Sequence, residues 1–334
     1  MNEIPAALGL DAEQVADLLA TAGRAPSLHN SQPWRFRVTS EVIELHADPG
    51  RRLPAADPAG REQRLACGAA LFNLRLALHG KGIRPRVVEL PDAARPDFLA
   101  AVGNGGRNSA TPRQLDLLAA VPRRRTNRRP FTADAVSGPE LHALRRAALE
   151  EGTTLDVVSD PESRRVLRRL LSEAHREQDA DPAFRAEVAL WTTSDPSRVD
   201  GVPTTAGGPA PITQDKWLLR DFGAATDAER PTAMFEDEPT IVVLTATTPG
   251  PAGELRTGQA LQRLLLTATV EGLSASFLSQ VVEVERTREQ LRLLLGSTRP
   301  PQAVLRLGRG WPITSTPRRP VADTVAPADQ VPAR

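Results

Sequence analysis

Apolar residues along this chain recur either at helical spacing or in short alternating runs, and this pattern predicts a mixed α+β protein. Before residue 122 it predicts helices over 11–23, 61–79 and from 111 onward, strands over 35–39, 42–46, 84–90 and 98–102, and a loop over 103–108. After residue 136 it predicts helices over 137–151, from 160 onward, 254–271 and 285–295, and strands over 155–158, 241–245, 274–278 and 303–307. The order of elements in the second series resembles that in the first.

The two long apolar helices align with each other at a constant offset of 190 positions, without a gap. The matching residues are Gly68, Ala70, Leu71, Leu74, Leu76, Gly82 and Ile83 in the first helix region, and Gly258, Ala260, Leu261, Leu264, Leu266, Gly272 and Leu273 in the second. This match predicts an internal duplication, with an N-terminal half over 1–121 and a C-terminal half over 122–334. Because Leu and Ala are common in the chain, coincidence is the alternative. A duplicated chain would be a monomer that acts as a pseudo-dimer, with a site where the halves meet.

Two segments depart from this pattern. Residues 180–238, called the insertion below, are rich in Asp, Pro, Gly and Thr, with Trp191 and Trp217 as their large apolar anchors. Segments of this length in compact proteins are often lids or binding loops, so we expect the insertion to be lid-like. The residues after Trp311, called the tail, contain five prolines and are predicted to form an extended strap.

Composition narrows the class of protein. With 40% hydrophobic and 25% charged residues, a net charge of +1 and a single cysteine, the chain reads as a cytoplasmic globular protein without a nucleic-acid or membrane partner. A run of apolar residues long enough to span a bilayer is absent from the sequence. The five histidines lack metal-ligand spacing, so no metal site is predicted. The partner that remains is a small-molecule substrate, or none.

Two polar stretches are candidates for chemistry. Residues 24–36 read R-A-P-S-L-H-N-S-Q-P-W-R-F and are called the Asn30 loop; their composition suits a ligand cradle, and an ordinary capped turn is the alternative. Residues 123–131 read R-R-R-T-N-R-R-P-F and are called the arginine motif. For this motif the alternatives are a solvated basic linker or an RNA-contacting patch, although no interleaved aromatic residues support nucleic-acid binding.

These two stretches resemble motifs of the flavin-dependent nitroreductase family. The Asn30 loop is similar to the family signature P-S-x-x-N-x-Q-P-W, and the arginine motif is similar to the R-R-S-x-R-x-F start of a nitroreductase subunit. Both motifs in one chain with a duplicated core resemble the Acg-like branch, in which two nitroreductase-like halves are fused. The resemblance implies a nitroreductase-like fold and an FMN-dependent oxidoreductase acting on a nitroaromatic, quinone or enone, with NAD(P)H as a candidate electron donor. The alternative is a non-catalytic FMN-sequestering protein with a lidded flavin site.

The resemblance also implies a set of cofactor-binding residues, while it names no catalytic residue. Guanidinium groups and hydroxyls suit a phosphate, and the resemblance implies Arg124, Thr126, Arg318 and Arg319 at the FMN phosphate. Arg125 is implied as a further cofactor-binding residue. Arg128 corresponds to the cation near the flavin N1 and O2 edge. The resemblance places four residues against the flavin ring and ribityl chain: Pro26, Ser27, His29 and Asn30. It places four more at the turn that faces flavin N5: Leu278, Ser279, Gln280 and Val281. At that turn Gln280 and Val281 replace the Glu and Gly of the family. Since each motif occurs once, one FMN per chain is expected.

Overall fold

The computed structural model describes residues 4–208, Trp217, Arg220, Phe222 and 238–326. The N-terminal half contains α1 (Ala12–Ala22), β1 (Trp34–Val38), β2 (Val42–Ala47), α2 (Arg61–Gly80), β3 (Ile83–Glu89), β4 (Phe98–Arg107) and α3 (Pro112–Ala120). The C-terminal half contains α4 (Gly138–Leu149), β5 (Thr153–Val158), α5 (Pro161–Ala180), α6 (Pro182–Leu190), β6 (Thr192–Thr193), β7 (Val202–Pro203), β8 (Thr240–Ala246), α7 (Gly250–Val270), β9 (Ser274–Phe277), α8 (Gln280–Glu283), α9 (Glu285–Leu294) and β10 (Pro301–Gly308).

The predicted helices and strands are confirmed, and their starts show why the pattern was readable. Capping boxes begin three helices: Asp11 with Gln14 at α1, Thr111 with Gln114 at α3, and Ser137 with Glu140 at α4. Each box satisfies backbone N–H groups that the first turn of a helix leaves without a partner, and it depends only on residues three positions apart. The residues around each helix start were therefore sufficient to predict where the helix begins.

The loop predicted over 103–108 is wrong. Strand β4 continues to Arg107, and Gly103 pairs with Val42 on one side and with Arg86 on the other. A Cβ atom on Gly105 would lie 2.8 Å from the carbonyl oxygen of Arg84, so this glycine permits the close approach of β3. Glycines that resemble a loop in sequence serve here to bring two strands together.

The two halves share one topology, which places α2 and α7 at equivalent positions. The first sheet has the strand order β1-β2-β4-β3 and the second has the order β5-β8-β10-β9, with every neighbouring pair antiparallel. In each half the long helix lies between the second and third strands of its own sheet in chain order. This agreement is what an internal duplication predicts, and it supports the α+β assignment.

Helices α2 and α7 cross where Gly68 meets Gly258. A Cβ on Gly68 would lie 2.1 Å from the carbonyl oxygen of Leu255, and a Cβ on Gly258 would lie 2.1 Å from the carbonyl oxygen of Leu65. Because 65 and 255, like 68 and 258, are 190 positions apart, the contact repeats itself under exchange of the halves. Such reciprocity is the property of a two-fold interface, here inside one chain.

Described parts of the insertion and of the tail pack on the N-terminal half, whereas Trp217 of the insertion lies in the core of the C-terminal half. Phe184 of α6 lies in a buried cluster with Leu53 and Ala56, whereas Val325 of the tail belongs to the core around α1, β1 and α2. The backbone N–H of Phe36 donates to the carbonyl oxygen of Thr324 at 2.7 Å, so the tail extends the first sheet beside β1. Segments that follow the second sheet's first strand in the chain thus pack on the first sheet and its helices. In the described ranges, the helices are all too short or too polar to cross a bilayer.

The crossing predicts an unusual response to Gly-to-Ala exchange. Alanine in a helix interior ordinarily stabilises by about 1 kcal/mol relative to glycine. At Gly68 and Gly258 the added methyl would meet backbone, so we expect each Ala variant to lower the free energy of unfolding by about 2 kcal/mol or more, as overpacking does. Gly138→Ala in α4 is the control, because no atom lies within 4 Å of its Cβ position. Denaturant unfolding measures all three; stability equal to wild type in both crossing variants would contradict the close contact.

Candidate ligand site between the two halves

A cavity of about 1260 Å³, including space open to solvent, lies where the halves meet. Its walls come from the Asn30 loop, the start of α2, the arginine motif, the insertion, the β9–α8 junction and the tail. Clefts between two packed units of a protein are frequent sites for small organic ligands and cofactors. The two stretches singled out from the sequence, about a hundred residues apart in the chain, therefore line one site.

Eleven of the fourteen predicted site residues line this cavity, and three do not. The lining ones are Pro26, Ser27, His29, Asn30, Arg124, Arg125, Thr126, Arg128, Ser279, Gln280 and Arg318. Leu278 and Val281 are instead fully buried in the core of the C-terminal half. Arg319 turns away and donates to the carbonyl oxygen of Gln32 at 3.2 Å, while lying 3.9 Å from Asp48. The side chains of these three residues thus have structural contacts in place of a position in the lining.

The Asn30 loop holds a backbone that its sequence does not prefer. His29, Asn30 and Gln32 have φ angles of 53°, 53° and 49°, in the left-handed region that costs non-glycine residues free energy. The side chain of Asn30 donates to the carbonyl oxygen of Gly201 at 2.9 Å, and that of Gln32 donates to the carbonyl oxygen of Val199 at 2.9 Å. The insertion therefore fixes the loop in this conformation.

The tail anchors the same loop from the other side. The guanidinium of Arg318 donates to Asn30 Oδ1 at 3.0 Å and to the carbonyl oxygen of Ala25 at 3.3 Å. The backbone N–H of Arg319 donates to Gln32 Oε1 at 2.9 Å. These contacts hold the guanidinium of Arg318 at the cavity wall, whereas that of Arg319 contacts Gln32, so the two adjacent arginines have different roles.

One end of the cavity holds a cluster of arginines, Arg24, Arg124, Arg125 and Arg318, and no carboxylate of the described residues forms an ion pair with Arg124 or Arg318. Arg124 is 6% exposed, and its Nε and Nη1 atoms are buried without a hydrogen-bond partner in the part of the chain that the structure describes. Burial lowers the pKa of Arg124 to about 9, with Arg318 and then Arg125 lowering it further. Burial likewise lowers the pKa of Arg318 to about 10, with contributions from Arg24 and Arg125. Buried, unpaired guanidinium groups are costly, and an anion held between them would offset that cost.

The other end of the cavity joins the Asn30 loop to the insertion. Arg128 donates to the carbonyl oxygen of Ala206 at 3.0 Å, and its guanidinium carbon lies 4.6 Å from the centre of the Phe222 ring. Burial, followed by the nearby Arg220, lowers the pKa of Arg128 to about 10. Arg220 also pairs with Glu283, whose side chain is 1% exposed.

His29 is held neutral at this end. Burial, then Arg220 and Arg128, lower the pKa of His29 well below its ordinary value. Arg220 Nη1 lies 3.0 Å from His29 Nε2 and can only donate, so Nε2 accepts and the proton resides on Nδ1. Among the described residues Nδ1 has no partner.

Sequence reasoning missed sixteen of the lining residues, among them Arg24, Glu62, Arg220 and Phe222. Arg220 and Phe222 lie in an insertion without a motif, and only its folding onto the Asn30 loop brings them to the cavity. Glu62 follows Arg61 at the start of a long buried helix, where acidic residues are ordinary. Arg24 was within the Asn30 loop but was not singled out. The described residues contain no group of three or more His, Cys, Asp or Glu side chains that could hold a metal ion.

Comparison with known proteins assigns the family. The chain is 33% identical over 326 residues to the Mycobacterium tuberculosis H37Rv protein named "Putative NAD(P)H nitroreductase Rv3131", over 94% of this chain and 92% of the relative. It is 31% identical over 308 residues to "Putative NAD(P)H nitroreductase acg" of the same strain, over 90% and 91% of the two chains. The chain therefore belongs to the nitroreductase family, in its Acg-like branch, which confirms the resemblance of the motifs.

Two further comparisons add no support. No protein-family model matches the chain. A solved nitroreductase from Desulfitobacterium hafniense DCB-2 with bound FMN is 15% identical, with a TM-score of 0.38 over 66% of this chain and 98% of that one. At so low a score the family assignment rests on the mycobacterial relatives.

The neutral His29 predicts a pH dependence of stability. A histidine whose pKa is lowered on folding contributes stability that is present above its unfolded value of 6.5 and is lost as the pH falls. We expect His29→Asn, which tolerates the left-handed backbone, to lose less thermal stability than wild type when the pH falls from about 7.5 to about 5.5. The exposed His142→Asn is the control. Equal pH slopes for His29→Asn and wild type would contradict the buried neutral imidazole.

Proposed function

We propose that this protein is an FMN-dependent oxidoreductase that transfers reducing equivalents from NAD(P)H to a small organic acceptor such as a nitroaromatic, quinone or enone. The observation that supports it most is the buried guanidinium of Arg124 at the cavity between the halves, where Nε and Nη1 have no hydrogen-bond partner among the described residues. FMN carries a phosphate of about two negative charges at neutral pH, which matches the excess of arginines at this end. The relatives named as NAD(P)H nitroreductases favour the same chemistry.

The residues present fit FMN from end to end. Arg124 and Arg318 would hold the phosphate, with the hydroxyl of Thr126 beside them at the point where the arginine motif bridges to Ala275 of β9. The strained Asn30 loop would lie against the ribityl chain and ring, with Arg128 at the pyrimidine edge of the ring. When bound, FMN supplies the electron-transfer chemistry, and the half-buried cation Arg128 would stabilise negative charge on the reduced ring.

Loss of Arg124 tests the phosphate assignment. A hydrogen bond to a charged group is worth about 1.5–3 kcal/mol, so Arg124→Ala should weaken FMN binding by about tenfold to a hundredfold. Titration calorimetry of the ligand-free protein measures this, with one FMN per chain expected for wild type. Riboflavin, which lacks the phosphate, should bind wild type far more weakly and should not distinguish the variant.

Arg123→Ala is the matched control for that experiment. Arg123 adjoins Arg124 in the arginine motif but is exposed and does not line the cavity. We expect its FMN affinity to equal that of wild type. Equal FMN affinity in Arg124→Ala, or equal wild-type affinity for FMN and riboflavin, would refute the phosphate site.

A second function, FMN sequestering without turnover, is favoured by one observation. Val202, Ala206, Arg220 and Phe222 of the insertion line the cavity, and Phe222 packs on Arg128 and edge-on against His29 with ring centres 5.8 Å apart. If Phe222 occupies the face where nicotinamide would stack, the bound flavin would be shielded from NADPH. The proposed oxidoreductase would then be slow in its resting form.

Removal of the Phe222 ring distinguishes the two functions. We expect Phe222→Ala, loaded with FMN, to be reduced by NADPH about tenfold faster than wild type, equivalent to about 1.4 kcal/mol of the barrier. Stopped-flow flavin absorbance measures the rate, and dithionite should reduce both forms. Leu190→Ala, at an exposed position of the same insertion, should behave as wild type. Rapid reduction of wild type, with no gain in Phe222→Ala, would exclude shielding by this ring.

A further inference from the structure

Glu62 is the single carboxylate among the described residues that line the cavity. It lies in the first turn of α2, which begins after Gly60 in the left-handed conformation. One carboxylate oxygen, Oε1, accepts from Arg61 Nη2 at 2.5 Å, and the side chain remains 17% exposed. The carboxyl group is thus fixed at one oxygen and has open space at the cavity wall.

The surroundings of Glu62 favour its protonated form near neutral pH. Burial is the main cause and raises the pKa of Glu62 to about 7, against the opposing charge of Arg61. The carboxylates of Glu283 on α8 and Asp57 before α2 contribute to this rise in pKa, and Arg288 on α9 is a further cation that interacts electrostatically with Glu62.

Arg61 also donates hydrogen bonds to acceptors other than Glu62. Its guanidinium also donates to the carbonyl oxygens of Gln302 at 2.7 Å and Val282 at 3.1 Å. Its position is therefore held by the second half of the molecule. Because these contacts hold Arg61 in place, its position does not depend on the charge of Glu62.

The other lining groups are poor proton donors. Arginine retains its proton throughout the working pH range, even with a pKa lowered to about 9 or about 10. His29 is neutral, with Nε2 occupied by Arg220, and a neutral imidazole does not release its remaining proton near pH 7. Efficient general acids have a pKa close to the operating pH, and in the described lining Glu62 meets that condition.

We infer that Glu62 donates the proton that completes reduction of the acceptor bound in this cavity; this inference rests on the proposed function. A quinone acceptor takes a hydride equivalent, which amounts to two electrons and one proton, from the reduced cofactor. A second proton, from the Glu62 carboxylic acid, forms the second O–H bond of the hydroquinone. Glu62 remains as a carboxylate and regains its proton from water at the cavity mouth.

Single-turnover reoxidation isolates this step from the reaction with NADPH. The experiment compares four FMN-loaded proteins: wild type, Glu62→Gln, Glu62→Asp and Glu41→Gln. Each is reduced with dithionite and then mixed with a benzoquinone in a stopped-flow instrument between about pH 5 and about pH 8. We expect the wild-type rate to fall as the pH rises through about 7. Glu62→Gln should be about a hundredfold slower at about pH 6 and should lack this inflection.

The other two variants separate a proton-donating role from a structural one. Glu62→Asp keeps a carboxyl group and should restore part of the rate with a displaced inflection, whereas the exposed Glu41→Gln should match wild type. An unchanged inflection in Glu62→Gln would overturn the inference while leaving the oxidoreductase intact. Failure of wild type to bind FMN or to be reoxidised would instead refute the proposed function, and this inference with it.

A ligand-free measurement checks the protonation state of Glu62 independently of activity. A carboxyl group whose pKa is raised on folding contributes stability that is present below its unfolded value of 4.5 and is lost as the pH rises through about 7. We therefore expect wild type to lose thermal stability between about pH 5 and about pH 8 through this group, and Glu62→Gln to lose less. Identical pH slopes would show that Glu62 is already ionised at the lower pH and would overturn the inference.

Discussion

The backbone contact between α2 and α7 is the constraint on which the rest of this structure depends. Because Gly68 and Gly258 lack a Cβ, the two helices approach until each backbone touches the other, and the two sheets are held in one relative position. The cavity lies beside this crossing, since Leu65 of α2 and Leu261 of α7 both line it. Closely packed interiors tolerate little displacement, so the geometry of the site depends on the absence of two methyl groups.

The cavity also shows how a site for an anion can lower the stability of the empty protein. Arg124 is buried, Arg128 and Arg318 are half-buried, and all three have lowered pKa values with desolvation as the first cause. Burying these charges disfavours folding unless a partner is present. A negatively charged ligand would offset this cost and stabilise the folded state through binding linkage. Local departures from the rules of stability of this kind are characteristic of functional sites.

Contacts that segments of the second half make with the Asn30 loop of the first half explain why the site is asymmetric in a pseudo-symmetric molecule. The insertion fixes Asn30 through Gly201, and the tail fixes it through Arg318. Both segments come from the second half and pack on the first. The strained φ angles of His29 and Asn30 persist because contacts from two separate parts of the chain determine them together.

Much of the fold and part of the site could be predicted from the sequence, because that information was local. Capping boxes such as that of Asp11 and Gln14 act over three residues, and helical and strand periodicity reports which face of an element is buried. The arginine motif and the Asn30 loop were recognisable as units, and the structure brings them to one cavity. The offset of 190 positions identified Gly68 and Gly258 as equivalent residues.

The tertiary structure decided what depends on residues distant in the chain. Folding places Gly68 against Gly258 and continues β4 through its glycines. It also directs Arg319 away from the cavity while Arg318 lines it, and it brings Arg220 and Phe222 to the Asn30 loop. It also set the protonation states of His29 and Glu62, since burial and neighbouring charges are absent from a linear pattern. Residue type and spacing determine which chemistry a side chain can offer, but its dielectric surroundings and partners exist only after the chain has folded.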